Sequence, residues 1–324
     1  MKFAFKCLLT ACILLAAGAT LQFSIAADYP ARSVRLVVPY PPGASNDVVA
    51  RLLAQKLSEM WGQQVVTDNR AGAGGLVGAD IVAKAAPDGY TLLMTNPGSN
   101  AINFALRAKT PYKADDFAPV TLLGWSPIML LTSATFPASS MKELIAQAKA
   151  KPGQLSGGSS GTGGSSHLAL ELFKMLTATN ILHVPYKGAA PAITDMIGGQ
   201  VTMIFTTPVT AQPLIRAGKI KSLAVAGNKR LDIFPDVMTT AEQGLEGYDV
   251  NIWFGVSAPA GTPRSLVLRL NRDLNATLAA ADVKERFAAL GLERKGSTPE
   301  EFEKVIREDI ERWSKVVKAA NISQ

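Results

Sequence analysis

The chain has 324 residues, enough for two ordinary domains, and 48% of them are hydrophobic, 18% charged and 7% aromatic, with a formal net charge of +7. This composition is too apolar for a disordered chain and too irregular for a fibrous one. Only two cysteines and two histidines are present. A disulfide framework, a cysteine-rich zinc site and a multi-histidine metal site are therefore excluded as leading hypotheses, and no cofactor is expected.

Residues 1–27 have the pattern of a secretory signal peptide. Two lysines precede an apolar run from Cys7 to Leu21, and small residues at positions 24–27 provide a cleavage point. The alternatives are a membrane anchor, for which the apolar run is short, and a lipoprotein lipidated at Cys12, which lies too early in that run. The sequence therefore predicts an exported protein whose mature chain has no cysteine.

The positive charge of the mature chain is modest and dispersed. Without the two lysines of the signal peptide the formal net charge falls from +7 to +5. Such a surplus suits anionic small ligands or an anionic membrane surface. Nucleic acid is not expected as a partner, because no basic run or aromatic-basic stripe is present.

Beyond the signal peptide, apolar strands alternate with helical stretches. The first part is predicted to contain strands at 34–39, 64–69 and 91–95 and helices at 45–60 and 78–86. The alternation resumes with helices at 140–150, 165–177, 190–197 and 210–217 and strands at 182–184, 201–205, 220–226 and 252–258. The tail is helical, at 264–279, 281–290 and 299–317. This order indicates an α/β fold built from βαβ units with a mainly parallel sheet.

The order of the elements also predicts two α/β lobes between which the chain crosses twice. The first crossing is expected near residues 120–131, where two apolar strands flank Gly124-Trp125-Ser126-Pro127, and the second near 248–257. The helical tail is expected to return to the first lobe. The predicted limits are 28–125 plus 252–324 for lobe one and 126–251 for lobe two.

Loop one, the segment Pro39–Asp47 with three prolines and one glycine, lies between a predicted strand end and a helix start. The unpaired N–H groups and the positive dipole end of a helix N-terminus suit a carboxylate or phosphate, and Gly43 permits close approach. The alternative is helix capping, with Ser45 or Asn46 as the N-cap. Asp47 is interpreted as a capping residue, because its charge would repel an anion.

Loop two, Ser156–His167, also opens a helix, and its hydroxyl and N–H groups suit a second anionic or polar group. Residues 157–161 match the G-x-S-x-G motif of hydrolases, with Ser159 as the nucleophile. That fold needs an acid and then a histidine far downstream, whereas the last histidine here is His183. An exported hydrolase that uses Ser159 is therefore the alternative hypothesis, and no catalytic triad, paired carboxylates or metal cluster supports it.

Loop three, Arg70–Gly78, has glycines at a spacing unlike that of dinucleotide-binding loops, and it is interpreted as a turn that allows close packing. His167 and His183 are interpreted as capping or packing residues. Tyr186 and Thr207 each follow a predicted strand, so their side chains are candidates to line the same cleft.

The ordered set of these segments resembles the Bug family of periplasmic solute receptors, the extracytoplasmic component of tripartite tricarboxylate transporters. The segments that carry the resemblance span the mature chain: YPAR from Tyr29, VPYPPGASND, DNRAGAGGLVGADIVAKAAPDGYTLL, SSGTGGSSH, VPYKGAAPAITDMIGGQV, IRAGKIKSLAV and WFGVSAPAGTP. The resemblance implies a two-lobed fold of the type II periplasmic-binding-protein kind with two hinge crossings. It also implies a monomeric receptor in the periplasm, not an enzyme, that closes on a small carboxylated solute and delivers it to the transporter's membrane subunits.

The resemblance also implies a ligand pocket. Carried over residue by residue, the pocket comprises Tyr40, Gly43, Ala44, Ser45, Ser160, Thr162, Gly163, Ser165, Tyr186 and Thr207. In two places the chain departs from the family. Ala44 and Asn46 stand where glycine and threonine are frequent, and Thr206-Thr207 replaces a position where an acidic residue is common. The second departure leaves the group bound at the distal end of the ligand open.

Overall fold

The computed structural model describes residues 29–320 and residue 322. Its strands are β1 (Val34–Val38), β2 (Val65–Asn69), β3 (Thr91–Thr95), β4 (Phe117–Pro127), β5 (Met129–Ser133), β6 (Ser156–Ser159), β7 (Leu182–Pro185), β8 (Met203–Thr206), β9 (Ile220–Val225), β10 (Asn251–Pro259) and β11 (Glu293–Arg294). The signal peptide predicted for residues 1–27 lies outside the described residues.

Helices pack against the sheets that these strands form. They are α1 (Ser45–Trp61), α2 (Leu76–Ala83), α3 (Asn103–Leu106), α4 (Met141–Ala150), α5 (Ser165–Thr177), α6 (Ala189–Ile197), α7 (Pro208–Arg216), α8 (Arg264–Ala279), α9 (Ala281–Ala289) and α10 (Pro299–Ala319). A π-helical turn, Gly98–Ile102, leads directly into α3. Within the described part of the chain, no helix has both the length and the apolarity that a membrane span requires.

The strands form two mixed sheets. The first has the order β11-β4-β10-β3-β1-β2 and the second the order β7-β6-β8-β5-β9. Strand β1 is parallel to β2 and β3, and β6 is parallel to β7 and β8, as expected for βαβ units. Strands β10 and β5 are antiparallel to both of their neighbours. Most strands of each sheet therefore run in one direction, as expected, and the strands that run against them are β10 and β11 in the first sheet and β5 in the second.

The chain passes between the sheets at two adjacent points, which confirms the two predicted crossings. Only Ile128 separates β4 from β5, and residues 226–250 separate β9 from β10. The Ile128 N–H donates to Val250 O at 3.0 Å, and the Ala226 N–H donates to Ile128 O at 2.8 Å. The segment Gly124–Pro127 lies inside β4, whereas two flanking strands were expected. The predicted lobe limits at 125/126 and 251/252 stay a prediction.

The helical tail returns to the first sheet and is anchored there by aromatic residues. Helix α10 starts with Pro299 behind a capping box, in which Thr298 and Glu301 bond each other's backbone N–H. The buried ring of Phe302 packs against β10, edge-on to Trp253 at 5.4 Å between centroids. Trp253 Nε1 donates to Asp309 Oδ2 at 2.9 Å, and burial raises the pKa of that carboxyl. The tail therefore supports the strand that crosses between the lobes.

Candidate functional site

Loop one turns from β1 into α1 and is held by an internal carboxylate. The N-cap is Ala44, which makes no side-chain capping bond, so the expectation of Ser45 or Asn46 as N-cap is wrong. The Gly43 N–H donates to Asp47 Oδ2 at 2.9 Å. Although burial opposes ionisation, hydrogen bonds from Arg51, the Gly43 N–H and Asn69 hold the pKa of Asp47 below its usual value. Asp47 thus stabilises the loop, and α1 begins without a side-chain cap.

Loop two turns from β6 into α5, and its polar groups bond to one another. The Ser160 N–H donates to Ser166 Oγ at 2.7 Å. The Gly163 N–H donates to His167 Nδ1 at 3.3 Å, and the His167 ring stacks on His183 at 4.0 Å between centroids. Burial lowers the pKa of both imidazoles to about 4, so both rings are neutral at pH 7. The interpretation of the two histidines as capping or packing residues agrees with these contacts.

The two loops meet at a small cavity of about 50 Å³ between the lobes. From the first lobe its lining residues are Tyr40, Ala44, Ser45, Asn46, Asn96 and Ile252. From the second lobe they are Ser160, Ser165, Ser166, Ala189, Phe205, Thr206 and Thr210. None of the described residues that line the cavity carries a charged side chain. Any charge bound here must therefore be balanced by dipoles.

Four helices begin at this cavity. The first residues of α1 and α5, Ser45 and Ser165, line it, as do Ala189 at the start of α6 and Thr210 in the first turn of α7. Each helix N-terminus carries the equivalent of about half a positive charge, together with N–H groups that the helix leaves unpaired. The cavity is therefore an environment for an anion, although no lysine or arginine lines it.

Two buried polar groups at the cavity lack hydrogen-bond partners among the described residues. These are Asn46 Nδ2 and Ser165 Oγ, whose residues are only 4% and 5% exposed. The orientation of the Asn46 amide follows from its neighbours. The Ser99 N–H donates to Asn96 Oδ1 at 3.1 Å, so Asn96 Nδ2 donates to Asn46 Oδ1, also at 3.1 Å. The amino group of Asn46 is thus left as a free donor, and an unpaired buried donor carries a cost of about 1–3 kcal/mol until a partner binds.

The model of the family described as "Tripartite tricarboxylate transporter family receptor" matches residues 49–322. The chain belongs to this family. BugT of Bordetella pertussis is 40% identical to it over 305 residues, which cover 93% of this chain and 94% of BugT. The structure of the periplasmic binding protein BugD superimposes with a TM-score of 0.87 at 34% identity, covering 91% of this chain and 99% of BugD. An R. palustris structure with adipate gives a TM-score of 0.88 at 38% identity, with coverage of 91% and 99%.

These matches make the chain a solute-binding receptor with a two-lobed fold of the type II periplasmic-binding-protein kind, and not an enzyme. They also imply a periplasmic protein. The hydrolase alternative gains no support. Ser159 Oγ does lie 2.6 Å from His183 Nε2, but the serine is fully buried and its hydroxyl also accepts the Gly161 N–H at 3.2 Å. In the receptor this pair stabilises loop two.

Five of the ten predicted pocket residues line the small cavity of the receptor. They are Tyr40, Ala44, Ser45, Ser160 and Ser165. The Tyr40 hydroxyl donates to Gly74 O at 3.0 Å, and burial raises its pKa to about 12, so it remains a neutral group.

The other five predicted residues lie around the small cavity without lining it. Thr207 is buried and bonds Ser45 across the cleft, while Thr162 and Gly163 pack against the first lobe. Gly43 borders a larger neighbouring pocket, and its N–H is already bonded to Asp47. The Tyr186 hydroxyl donates to Asp195 Oδ2 at 2.7 Å.

Several lining residues were missing from the predicted pocket. They are Asn46, Asn96, Ser166, Ala189, Phe205, Thr206, Thr210 and Ile252. The position of Asn96 in the sequence could have predicted its role, because Asn96 directly follows β3 just as Pro39, the first residue of loop one, directly follows β1. The carboxyl ends of parallel strands meet at one sheet edge, where ligands of α/β folds bind. Ile252 and Phe205 carried no comparable signal, since they lie in strands of different sheets.

The two lobes of the receptor touch on both sides of the cavity. On one side Ser45 Oγ lies 2.5 Å from Thr207 Oγ1 and 2.9 Å from Thr210 Oγ1. On the other side Gly74 of loop three abuts loop two so closely that a Cβ at Gly74 would lie 2.7 Å from backbone atoms of residues 162–164. Loop three is therefore a packing turn, as expected, and its packing partner is the opposite lobe.

Proposed function

We propose that this receptor captures a small carboxylate in the cavity between its lobes. It does so as a monomer in the periplasm, after export directed by residues 1–27, and its closed form is recognised by the membrane subunits of a tripartite tricarboxylate transporter. The adipate held by the R. palustris relative is itself a carboxylate.

One observation carries this proposal. An unpaired amide donor, Asn46 Nδ2, and an unpaired hydroxyl, Ser165 Oγ, face one uncharged cavity from opposite lobes. A carboxylate presents two oxygens with several acceptor sites, so one group can accept from both donors at once. The four helix N-termini supply the positive potential that offsets its charge.

The same geometry provides a closing mechanism. Asn46 lies on α1 of the first lobe and Ser165 on α5 of the second, so a single carboxylate reaches both only when the lobes are together. A ligand shifts a conformational equilibrium only by its differential affinity for the two states. The contact with the second donor therefore favours the closed receptor, whose surface differs from that of the open one.

The decisive variant is Asn46→Asp, which keeps the size and the acceptor oxygen that Asn96 bonds but replaces the free donor with an acid. Two unit charges about 4 Å apart repel by about 4 kcal/mol at an effective dielectric constant of about 20. We expect the affinity for a carboxylate to fall at least a hundredfold. Isothermal titration calorimetry with acetate, succinate, malate, adipate and citrate measures this effect.

The matched control is Asn180→Asp, the same substitution at an exposed position of the second lobe. It is expected to change the affinity less than twofold, and melting temperatures establish that both variants fold. If the wild-type receptor binds none of the five acids, or if Asn46→Asp binds them as well as the wild type does, the proposal is wrong.

A further inference from the structure

Two side chains of the small cavity have a hydrogen-bonding polarity that depends on their orientation. Most polar side chains that line the cavity are hydroxyls, which donate or accept as a partner requires. An amide differs, because its NH₂ group only donates and its oxygen only accepts. Among the described lining residues the amides are Asn46 and Asn96, each only 4% exposed. The end of the amide that faces the cavity therefore decides which ligand group it can bind.

The main chain determines the orientation of Asn96. The N–H of Ser99, within the π-helical turn, donates to Asn96 Oδ1 at 3.1 Å. A backbone N–H cannot accept a hydrogen bond, so a rotated Asn96 amide would set two donors against each other. Ser99 is itself held in place, since its carbonyl accepts from the Tyr112 hydroxyl at 2.6 Å. Asn96 therefore has one stable orientation, in which its Nδ2 points at Asn46.

The orientation of Asn96 in turn fixes that of Asn46. Asn96 Nδ2 donates to Asn46 Oδ1 at 3.1 Å, and Asn46 Nδ2 has no partner among the described residues. The opposite orientation of Asn46 would bring two NH₂ groups together and turn its oxygen to the cavity. In a buried pair, such a mismatch leaves both groups without the hydrogen bonds that they make in water. Asn46 thus presents a donor to the ligand because the N–H of Ser99 is a donor.

We propose that Asn96 is a positioning residue that makes the receptor selective for groups that accept hydrogen bonds. Both ends of its own amide are already bonded, so it acts through the orientation of Asn46. A carboxylate satisfies the donor of Asn46, whereas an ammonium would oppose it. This inference rests on the proposed function, since Asn46 is the donor that binds the carboxylate there.

The variant that tests the inference is Asn96→Asp. It keeps the oxygen that accepts from the Ser99 N–H and replaces the NH₂ group with a second acceptor. At pH 8 the new carboxyl group is ionised, since the usual pKa of this group is about 4. Asn46 should then rotate and donate Nδ2 to the new carboxylate, which turns its oxygen to the cavity. The site would offer an acceptor where the wild type offers a donor.

Nuclear magnetic resonance of the ligand-free receptor, with its asparagines isotopically labelled, detects this rotation. The side-chain amide signal that is missing from Asn46→Ala identifies Asn46. In Asn96→Asp one of its protons should shift downfield, because it is bonded to a carboxylate. The matched control is Asn100→Asp, which adds the same charge at a buried residue of the same turn. Asn100 bonds Ser99 Oγ and not Asn46, so this control should not produce the shift.

A double-mutant cycle then measures the consequence for binding. The probe is whichever of acetate, succinate, malate, adipate and citrate binds the wild type most tightly. In the wild type, Asn46→Ala should weaken binding about ten- to 150-fold, as for the loss of a donor to a charged group. In the Asn96→Asp background the same substitution should leave the affinity unchanged or raise it, because it removes an acceptor that faces the carboxylate.

The added charge does not produce this reversal. Repulsion between the ligand and the new carboxylate acts with and without Asn46, so it cancels in the cycle. In the Asn100→Asp background, Asn46→Ala should weaken binding as it does in the wild type. Titrations followed by nuclear magnetic resonance measure the weak affinities of the variants, and melting temperatures establish that each variant folds.

The outcomes separate this inference from the proposed function. If Asn46→Ala weakens binding by the same factor with and without Asn96→Asp, Asn96 does not position Asn46, and carboxylate capture by Asn46 stands. An Asn46 signal that does not shift in Asn96→Asp also overturns the inference. If Asn46→Ala has no effect in the wild type, or if the wild type binds none of the five acids, the proposed function fails and this inference fails with it.

Discussion

Loops one and two at the cavity have the same local design and different roles. Loop one and loop two each follow a strand and open an uncapped helix, at Ser45 and Ser165. Loop one is stabilised within its own lobe, by the bond from the Gly43 N–H to Asp47. Loop two is packed against the other lobe, where residues 162–164 meet Gly74. Similar sequence patterns thus give one loop that is stabilised internally and reaches the other lobe only through hydroxyl bonds of Ser45, and another whose backbone packs directly against the other lobe.

This difference indicates how binding and closure are divided. The anion-binding face of loop one needs no contact from the second lobe, so it can receive a ligand while the lobes are apart. The contact between loop two and Gly74 forms only when the lobes are together. Substitutions at the contact of loop two should therefore impair closure without altering the cavity, and substitutions in loop one should impair both.

Among substitutions at the contacts between the lobes, the largest effect is expected from Gly74→Ala. The new Cβ would lie 2.7 Å from Thr162 O, Gly163 C and Gly164 N, so the closed form must shift to accommodate it. Overpacking of this kind costs about 1–3 kcal/mol, which corresponds to about a five- to 150-fold loss of ligand affinity. Small-angle X-ray scattering with saturating ligand should show the variant more extended than the wild type.

The control for this prediction is Gly62→Ala. Gly62 and Gly74 share a φ of +65°, so alanine is equally strained at both positions, but a Cβ at Gly62 meets no atom within 4 Å. Both variants should lose stability by a similar amount, while only Gly74→Ala should lose affinity. Equal affinities for the two variants would show that the contact between Gly74 and loop two does not limit closure.

Acid should weaken the two loops in different pH windows. The folded-state pKa of His167 and of His183 is about 4, below the unfolded value of 6.5, because burial disfavours the imidazolium. The unfolded chain therefore binds more protons, and this contribution to stability is lost as the pH falls from about 6.5 to about 4. The lowered pKa of Asp47 in loop one stabilises the fold above 3.8, and that contribution is lost only below this value.

Urea unfolding at a series of pH values measures these windows. The double variant His167→Gln/His183→Gln should show a weaker pH dependence than the wild type between pH 6.5 and 4. Below pH 4 the unfolding free energies of the two proteins should fall in parallel, since Asp47 is present in both. Parallel curves over the whole range would mean that the stacked histidines of loop two do not titrate as their burial predicts.

The local pattern was sufficient for most elements, because hydrophobic periodicity and glycine position act within a few residues. Helix α5 and strand β3 begin and end where they were predicted, and Ser45 and Ser165 were found because each opens a helix after a strand. The hydrogen-bond and packing partners of individual residues were harder to predict from the sequence. Tyr186 follows a strand as expected, but its hydroxyl bonds Asp195 nine residues further on, a competition that spacing does not decide. The partner of Gly74 lies in the other lobe, which no local pattern encodes.

The smallest effect is expected at the hydroxyl cluster that joins the lobes on the side of loop one. Ser45 Oγ lies within hydrogen-bond distance of Thr207 Oγ1 and Thr210 Oγ1, and both bonds require closed lobes. Ser45→Ala removes them, and at about 1 kcal/mol of net stabilisation the ligand affinity should fall about fivefold. Isothermal titration calorimetry with the tightest-binding acid measures the change.

A hydroxyl pair within one lobe provides the comparison. Thr177 Oγ1 and Thr179 Oγ1 lie 2.8 Å apart and buried in the second lobe, so Thr179→Ala removes a similar bond that is present whether the lobes are open or closed. That variant should lower the melting temperature and leave the affinity unchanged, whereas Ser45→Ala should lower the affinity. If the two variants change the affinity equally, the bonds of Ser45 are not specific to closure, and loop one would hold the ligand without helping to bring the lobes together.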